Sequence, residues 1–507
     1  MRKGFTLIEL LAVIVILAII ALIATPIVLN IIEDSKESAT LRSAEFYIDG
    51  VEQAVTLSRL NSEKVEDGQY PIMEDGNICI GKLEDSICKI DESIQGSGYV
   101  LEVNVKGEKP KEGTISISSG EVSETELIIS NKDIWTDPFT GNLAYKLAPG
   151  LYDKNDKLLM SWDELNQKSE KTYGTNFKDL LENYGYNGET EFVNSIIDDD
   201  KVDEEAKLVI SDEVTKIADS AFLYNDNLIS IIIPDSIESI GMWAFSMCYK
   251  LESIKLPENL QTIEGGVFQS CEKLINITIP NSVTSITTDA FMGCKSLKEI
   301  TIPNNVETIY ENAFRDCKGL TNVTLGNNVA SIGNSAFAGC ESLNEIIIPS
   351  SVRSTGIDVF YGCSSLTSVI ILDGIDYIAD STFAGCKSLT SITIPESVRT
   401  ISGWAFANCE NLESIKLPKN LQTLGTNTFS GTGLTSITIP NSVTDIGNST
   451  FSGCTSLKEI TILNEDLEID SSPFTGCTSL TTIYKKGSTD GFPWGAPNEN
   501  VKIETNF

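Results

Sequence analysis

A phenylalanine that recurs every 23 residues constrains this chain more than any other feature. It stands at ten successive positions from Phe222 to Phe429, and Phe451 and Phe474 follow after steps of 22 and 23 residues. A fixed period of this length indicates stacked supersecondary units, here called coils, none of which can bury its apolar side alone. The repeated region therefore predicts a solenoid with one long core that neighbouring coils share.

One coil, from Leu389 to Cys409, shows which side chains are expected to point inward. The predicted inward residues are Leu389, Ile392, Ile394, Val398, Ile401, Ala405 and Phe406. The Ile-x-Ile segment has the periodicity of a strand, and the proline that follows it ends the pairing. The Ala-Phe-x-x-Cys segment is predicted to form a short turn of helix on the opposite side.

The recurring unit Leu-x-x-Ile-x-Ile-Pro-x-x-Val-x-x-Ile-x-x-x-Ala-Phe-x-x-Cys resembles the BspA-like (Treponema pallidum-type) leucine-rich repeats, which occur chiefly in bacterial surface proteins. The resemblance spans residues 205–485 and about 12 units. Departures are local, as where Asn225 and Thr432 replace the cysteine. Residues 486–507 break the pattern and are expected to cap the open end of the solenoid.

Ten of the twelve cysteines occupy one position of this repeat. Stacked strands lie about 4.7–4.9 Å apart, so neighbouring thiols could come within disulfide distance. The favoured interpretation is a column of small buried apolar side chains. One cysteine per repeat gives no convergence of metal ligands, and no metal or other cofactor is expected.

The strand residue between the two inward isoleucines is predicted to face outward and to form a candidate ligand face. Its members are Lys255, Thr301, Thr324, Ile347, Ile370, Thr393, Lys416 and Tyr484. Short hydroxyl side chains dominate this row, which offers a flat surface without a catalytic pairing. The alternative is a solvated face chosen for β propensity. Ile347 and Ile370, together with Tyr361 and Tyr377, are the predicted anchor because clustered apolar residues tend to mark contacts.

The first thirty residues carry an export signal. Arg2 and Lys3 precede an apolar run over residues 10–29, which is long enough to span a bilayer as a helix. The positive-inside rule then places the rest of the chain outside the cell. A secretory signal peptide would share these features, but no convincing cleavage site follows Ala24. Glu9 lies at the edge of the run, where a carboxylate needs a partner.

The segment Gly4-Phe5-Thr6-Leu7-Ile8-Glu9 resembles the processing site of type IV prepilins and the related pseudopilins. The resemblance implies that a prepilin peptidase cuts after Gly4 and methylates the amino group of Phe5. It also implies that Glu9 pairs with the amino terminus of a neighbouring pilin subunit, which would offset the desolvation of both charges. A plain membrane anchor is the alternative.

The residues after the apolar run predict an α+β pilin-like domain. Apolar residues spaced three and four apart from Leu41 to Val55 extend the helix, and alternating patterns between Tyr99 and Ile129 predict a small antiparallel sheet packed on it. The predicted divisions are a leader (1–4), a long helix (5–60, transmembrane to about residue 30), a globular head (61–150) and a connector (151–204). 

A disulfide between Cys79 and Cys88 is plausible in this head, since an exported domain meets an oxidising exterior. Two free or separately buried thiols are the alternative.

Histidine is absent, and the formal net charge is −35. Without histidine the chain lacks the Ser-His-Asp and Cys-His nucleophile systems and His-ligated zinc, so an enzyme is not expected. The acidity argues against nucleic acid as a partner.

Two functions remain. The first is a pilin-like surface protein that displays its repeats for adhesion or protein binding. The alternative is a pseudopilin of a type II secretion or DNA-uptake machine, in which the solenoid caps the assembly or recruits cargo. The expected partners are a prepilin peptidase, other pilin or pseudopilin subunits, the membrane, and a host or bacterial surface protein or glycan.

Overall fold

The computed structural model divides the chain into two compact units, Met1–Leu147 and Ala148–Phe507, and each is described by itself. The described residues are 47–48, 51, 68–73, 77–80, 82–84, 87–89, 99–101, 110, 113–118, 121–129, 132–136, 143–145, 147–153, 156, 158–173, 177–183, 205–467, 472–487 and 501–505. The predicted cleavage site and the apolar run lie outside these ranges. Within the ranges, no helix is both long and apolar enough to cross a membrane.

An antiparallel sheet is the main feature described in the first unit. Its strands, in spatial order, are Gly68–Pro71, Gly113–Ser118, Glu121–Ile129, Lys132–Thr136 and Leu143–Tyr145. Two further antiparallel pairs join Ile78–Ile80 to Tyr99–Leu101 and Lys82–Glu84 to Ile87–Lys89. Of the predicted helix 5–60, only residues 47–48 and 51 are described, and they are helical. The pilin-like arrangement of helix and sheet stays a prediction.

The second unit begins with a small α/β element that covers the first coil. Strands Gly150–Asp153 and Leu158–Ser161 are followed by helices Trp162–Tyr173 and Phe177–Asn183. The Ser161 hydroxyl accepts from the Glu164 amide, and the Glu164 carboxylate accepts from the Ser161 amide at 2.8 Å, which caps the first helix. Gly150–Asp153 pairs antiparallel with Ala206–Val209, the first strand of the solenoid.

This element differs from the connector predicted for residues 151–204. Trp162, Leu165, Phe177 and Leu181 are buried in the same core as the first coils, and the Trp162 and Phe177 rings meet edge to face at 5.3 Å. An open end of a solenoid exposes apolar side chains, so a segment that covers it contributes directly to stability. The described part of residues 151–204 is therefore an N-terminal cap.

Two ladders of parallel strands run through the solenoid. The longer strands are Ala206–Val209, Leu228–Ile232, Ser253–Lys255, Glu299–Thr301, Asn322–Thr324, Glu345–Ile348, Ser368–Ile371, Ser391–Thr393, Ser436–Ile439, Glu459–Ile462, Thr482–Lys485 and Lys502–Glu504. The two-residue strands are Lys216–Ile217, Ser239–Ile240, Thr262–Ile263, Ser285–Ile286, Thr308–Ile309, Ser331–Ile332, Ser354–Thr355, Tyr377–Ile378, Thr400–Ile401, Thr423–Leu424 and Asp445–Ile446. Neighbouring strands pair residues 23 apart over most of both ladders, so equivalent side chains stack directly.

The longer ladder is interrupted where residues 276–279 and 414–417 form no strand. Beside the second interruption, Ile392, Ile394 and Ile415 pack against the core but are only partly buried. The inward direction predicted for Ile392 and Ile394 is thus correct, but their burial is incomplete because the next coil does not continue the ladder over them.

The segment around each ladder phenylalanine is a pair of β-turns, so the predicted turn of helix is wrong. In the Phe337 coil, Ser335 and Gly339 have φ of 52° and 72°, which are left-handed. The amides of Ser335, Phe337 and Gly339 donate to carbonyls of the next coil at 2.7–2.9 Å. The amide of Ala338 instead donates within the coil to Ser335, at 3.1 Å. Successive amides therefore donate in turn to the next coil and within their own coil, which satisfies the backbone without a helix.

The ladder phenylalanines form one continuous stack of rings. Adjacent ring centroids lie 5.1–5.7 Å apart, with interplanar angles of 2–19°. The ten repeat cysteines lie beside the stack, free and buried, which confirms the interpretation of small buried side chains. The Cys363 thiol donates to the Phe337 carbonyl of the preceding coil at 3.3 Å, and burial raises its pKa to about 12.

The 22-residue step between Phe429 and Phe451 is accommodated at one corner. Thr432 replaces the cysteine, and Leu434 follows two residues later instead of three. The Thr432 hydroxyl donates to the Phe429 carbonyl at 2.9 Å. The two rings still stack at 5.7 Å and 12°, so the shorter corner does not disturb the core.

The last described strand, Lys502–Glu504, pairs in parallel with Thr482–Lys485. Lys485 is buried, and its ammonium donates to the carbonyls of Asn464, Glu465 and Lys486, each at 2.9 Å. A buried ammonium must find such acceptors, because an unpaired charge in the core is costly. This arrangement ties the final coil to the corner of the coil before it.

Candidate binding surface

The outward residues of the longer ladder form a surface that we call the strand face. Ile347 and Ile370 lie opposite each other in paired strands, and their side chains are 54% and 38% exposed. Thr301, Thr324 and Thr393 are also exposed in this row. The row therefore faces solvent as the alternation of the strands predicted.

The remaining predicted members of the strand face differ in their exposure and in their local structure. Lys255 and Tyr484 are half-buried. Lys416 is exposed, but it lies in one of the two segments that form no strand. Whether any of these residues contacts a ligand stays a prediction.

The predicted anchor of four residues does not form one surface. Tyr377 belongs to the two-residue ladder, where its hydroxyl donates to the Thr355 carbonyl at 3.1 Å. Tyr361 follows a ladder phenylalanine directly and lies among the β-turns, 53% exposed. Only Ile347 and Ile370 come together, because the other two residues occupy different sides of the coil.

Most exposed large apolar side chains lie on the turn side, by which we mean the residues within four positions of a ladder phenylalanine. They are Tyr224, Met242, Trp243, Tyr249, Tyr310, Ile357, Tyr361 and Trp404. The sequence interpretation missed this surface. The available signal was the large side chain of Tyr224, Trp243 and Trp404, at positions that most other coils fill with Gly, Asn, Asp or Ser.

Exposed ion pairs connect neighbouring coils at the corner after several of the cysteines. Lys295 meets Glu272 at 2.7 Å, and Lys387 meets Glu410 at 3.2 Å. Exposed pairs of this kind contribute little to stability, but in each of them a glutamate carboxylate already pairs with the lysine ammonium group. Among the residues that the structure describes, no three His, Cys, Asp or Glu side chains converge to hold a metal ion.

The sites predicted in the first unit are only partly described. Gly4, Phe5 and Glu9 lie outside the described residues. Cys79 is buried and disulfide-bonded. Cys88 lies in strand Ile87–Lys89, in register with Leu83, but its side chain is outside the described part of the structure. The Cys79–Cys88 pairing stays a prediction.

Two family models match the chain. The model described as "BspA type Leucine rich repeat region" matches in six copies, over residues 204–321, 263–390 and 376–492, which together make more than half of the chain. The model described as "Prokaryotic N-terminal methylation motif" matches residues 1–25.

Several solved structures resemble part of the chain. A leucine-rich repeat protein from Bacteroides ovatus is 25% identical, with 58% of this chain and 88% of that chain covered and a TM-score of 0.38. A leucine-rich cell surface protein from Faecalibacterium prausnitzii is 26% identical, with 58% and 94% covered and a TM-score of 0.38. The leucine-rich repeat protein of T. pallidum is 24% identical, with 42% and 80% covered and a TM-score of 0.25. No curated protein sequence matches the chain.

Proposed function

Since the chain belongs to the BspA-type leucine-rich-repeat family, we propose that it is a type IV pilin-like surface protein that displays its solenoid for adhesion through protein binding. The methylation motif over residues 1–25 supports processing by a prepilin peptidase and attachment to the membrane. In this proposal Gly4 and Phe5 flank the cut, Glu9 pairs with a neighbouring subunit, and the solenoid lies outside the cell.

The observation that carries the binding function is the strand face. Its two apolar members project from paired strands, and the strand of Ile370 is hydrogen-bonded to the coils on both sides. A surface that is already ordered loses little conformational entropy when it binds, so more of the contact energy appears as affinity. Ile347 and Ile370 offer an apolar centre within a row of exposed threonines, which matches the anatomy of a protein interface with an apolar core and a polar rim.

Surface display is tested by adding protease to intact cells that express the full chain. Degradation of the solenoid in intact cells is expected. Protection from the protease until the cells are lysed would contradict display.

Binding through the strand face is tested by capture from extracts of host matrix and bacterial surfaces. We expect the double variant Ile347→Asp/Ile370→Asp to capture at least about tenfold less partner than the parent chain does, because carboxylates in an apolar contact are left unpaired. Thr438→Asp/Thr461→Asp is the matched control, since these threonines are paired in the same row and the change adds the same charges. A partner that both variants retain equally would exclude the strand face. A partner encoded beside secretion-channel genes would favour the pseudopilin alternative.

A further inference from the structure

Four side chains on the turn side of the Phe222 and Phe245 coils form what we call the aromatic patch. They are Tyr224, Met242, Trp243 and Tyr249, with exposed fractions of 51%, 45%, 46% and 38%. Backbone hydrogen bonds from Ser220 to Met242 at 2.8 Å and from Tyr224 to Ser246 at 3.0 Å hold the two coils side by side. Four large side chains exposed on the turn side of two neighbouring coils form a candidate contact site.

Trp243 occupies a position that disfavours a large side chain. Its φ is 55°, and the same position in the following coils holds Gly266, Asp289 and Asn312. These are residue types that tolerate the left-handed conformation. The indole lies over Gly266, where an added Cβ would overlap the ring. This position presents the Trp243 side chain to solvent, where a ligand can reach it.

Two exposed carboxylates lie in the coils of the aromatic patch, whereas Lys250, which follows Tyr249 directly, is half-buried. Asp219 and Asp226 are exposed in the Phe222 coil, and Asp226 precedes Tyr249 by one repeat, which puts the two in adjacent coils. The nearby Lys273 is engaged by Glu252 at 3.7 Å. With a net charge of −35 on the whole chain, an anionic ligand is disfavoured at this site.

We propose that the aromatic patch binds an arginine-bearing, basic segment of a partner protein. A guanidinium stacks on the faces of tryptophan and tyrosine and is attracted by both the rings and the neighbouring carboxylates. Tyrosine, tryptophan, methionine and arginine are the residues enriched in protein interfaces, where such anchors pair across the contact. The patch lies apart from the strand face and binds independently of it.

The test measures binding of a peptide of alternating arginine, glycine and serine to the purified full-length chain in detergent. The comparison peptide carries citrulline in place of arginine, which keeps the shape and removes the charge. We expect Trp243→Asn to weaken binding of the arginine peptide about five- to tenfold. Asparagine occupies this position in the Phe314 coil, so the variant keeps the turn.

Trp404→Asn is the matched control. Trp404 has the same place in its coil, a φ of 53° and 48% exposure. Among the described residues, no other large apolar side chain is exposed on the turn side of its own coil or of the adjacent ones. We expect this variant to bind within twofold of the parent chain.

Three results would overturn the proposal. An equal loss of affinity for the arginine peptide in Trp243→Asn and Trp404→Asn would show that the peptide is attracted generally to an acidic protein. Equal affinity for the citrulline peptide would show that the cation is not recognised. Binding of a neutral oligosaccharide such as maltohexaose that is lost in Trp243→Asn, with no binding of the arginine peptide, would make the patch a saccharide site. Because the assay uses purified protein, its result is separate from that of the protease test of surface display.

Discussion

Replacement of Phe337 by alanine tests how the solenoid is held together. Phe337 is fully buried, and its ring stacks between Phe314 at 5.2 Å and Phe360 at 5.6 Å. Emptying a buried phenylalanine site costs about 3–5 kcal/mol. Each aromatic pair adds about 0.5–1.5 kcal/mol beyond the burial of its area. Because Phe337→Ala removes two pairs from the middle of the stack, we expect the upper part of this range.

Phe222→Ala is the matched comparison, because Phe222 is equally buried but stands at the end of the stack. Its described stacking partner is Phe245, at 5.1 Å. Loss of one ring pair instead of two should make this change less costly by about 0.5–1.5 kcal/mol. Tyr361→Ala, at an exposed position beside the same ladder, should change stability by no more than about 0.5 kcal/mol.

The assay is urea unfolding of the Ala148–Phe507 unit, followed by circular dichroism and by intrinsic fluorescence. The free energy of unfolding should fall most for Phe337→Ala, less for Phe222→Ala and least for Tyr361→Ala. An unchanged free energy for Phe337→Ala would mean that the ladder faces water. Equal losses at Phe337 and Phe222 would mean that burial alone, without stacking along the axis, sets the cost.

Three further predictions concern processing, assembly and pH. Gly4→Val should block cleavage because a branched side chain does not fit a peptidase site that accepts glycine; mass spectrometry should find N-methyl-Phe5 in the parent and an unprocessed terminus in the variant. Glu9→Ala should still insert and be cleaved but should enter sheared fibres poorly, and normal incorporation would remove Glu9 from assembly. Burial raises the pKa of Cys248 and Cys363 to about 12 from an ordinary 9.0, so their contribution to stability is full below pH 9 and is lost as pH rises toward 12. At pH 10 the contribution of each thiol to the free energy of unfolding should be smaller by about 1.4 kcal/mol. Between pH 7.5 and pH 10 the free energy of unfolding of Cys248→Ala/Cys363→Ala should therefore fall by about 3 kcal/mol less than that of the parent chain. Equal decreases in the two proteins would show that other groups cause the change.

The 23-residue period was enough to predict the shared core, the phenylalanine column and the outward strand row. These depend on which side chains repeat, and the stacking then follows from geometry. The β-turns were missed because Ala-Phe-x-x-Cys has no helical or left-handed signature of its own. A clue was available in the glycine two residues after the phenylalanine in several coils, such as Gly339 and Gly362, since a repeated glycine indicates a left-handed position.

The N-terminal cap and the aromatic patch were missed for a related reason. Trp162 and Phe177 lie outside the repeat, so no period shows that they bury against the first coil. Tyr224 lies in the segment that was predicted to be a turn of helix, and Trp243 directly precedes that segment in its own coil, so their exposure could not be deduced without the turn geometry. The first unit offered still less, because its head has neither a repeat nor a long periodic segment beyond the helix.

The short corner after Phe429 has a consequence for how this protein can change over generations. A corner that loses one residue while the rings on both sides keep stacking shows that the coil tolerates imperfect copies of itself. Recombination between similar repeats would remove or add whole coils, and each coil would change the length of the solenoid by a single strand spacing of about 4.8 Å. The cap over the first coil and the lysine that ties the last are untouched by such events. Length is then a stepwise trait that selection can adjust while the ends, and the stability they provide, stay constant.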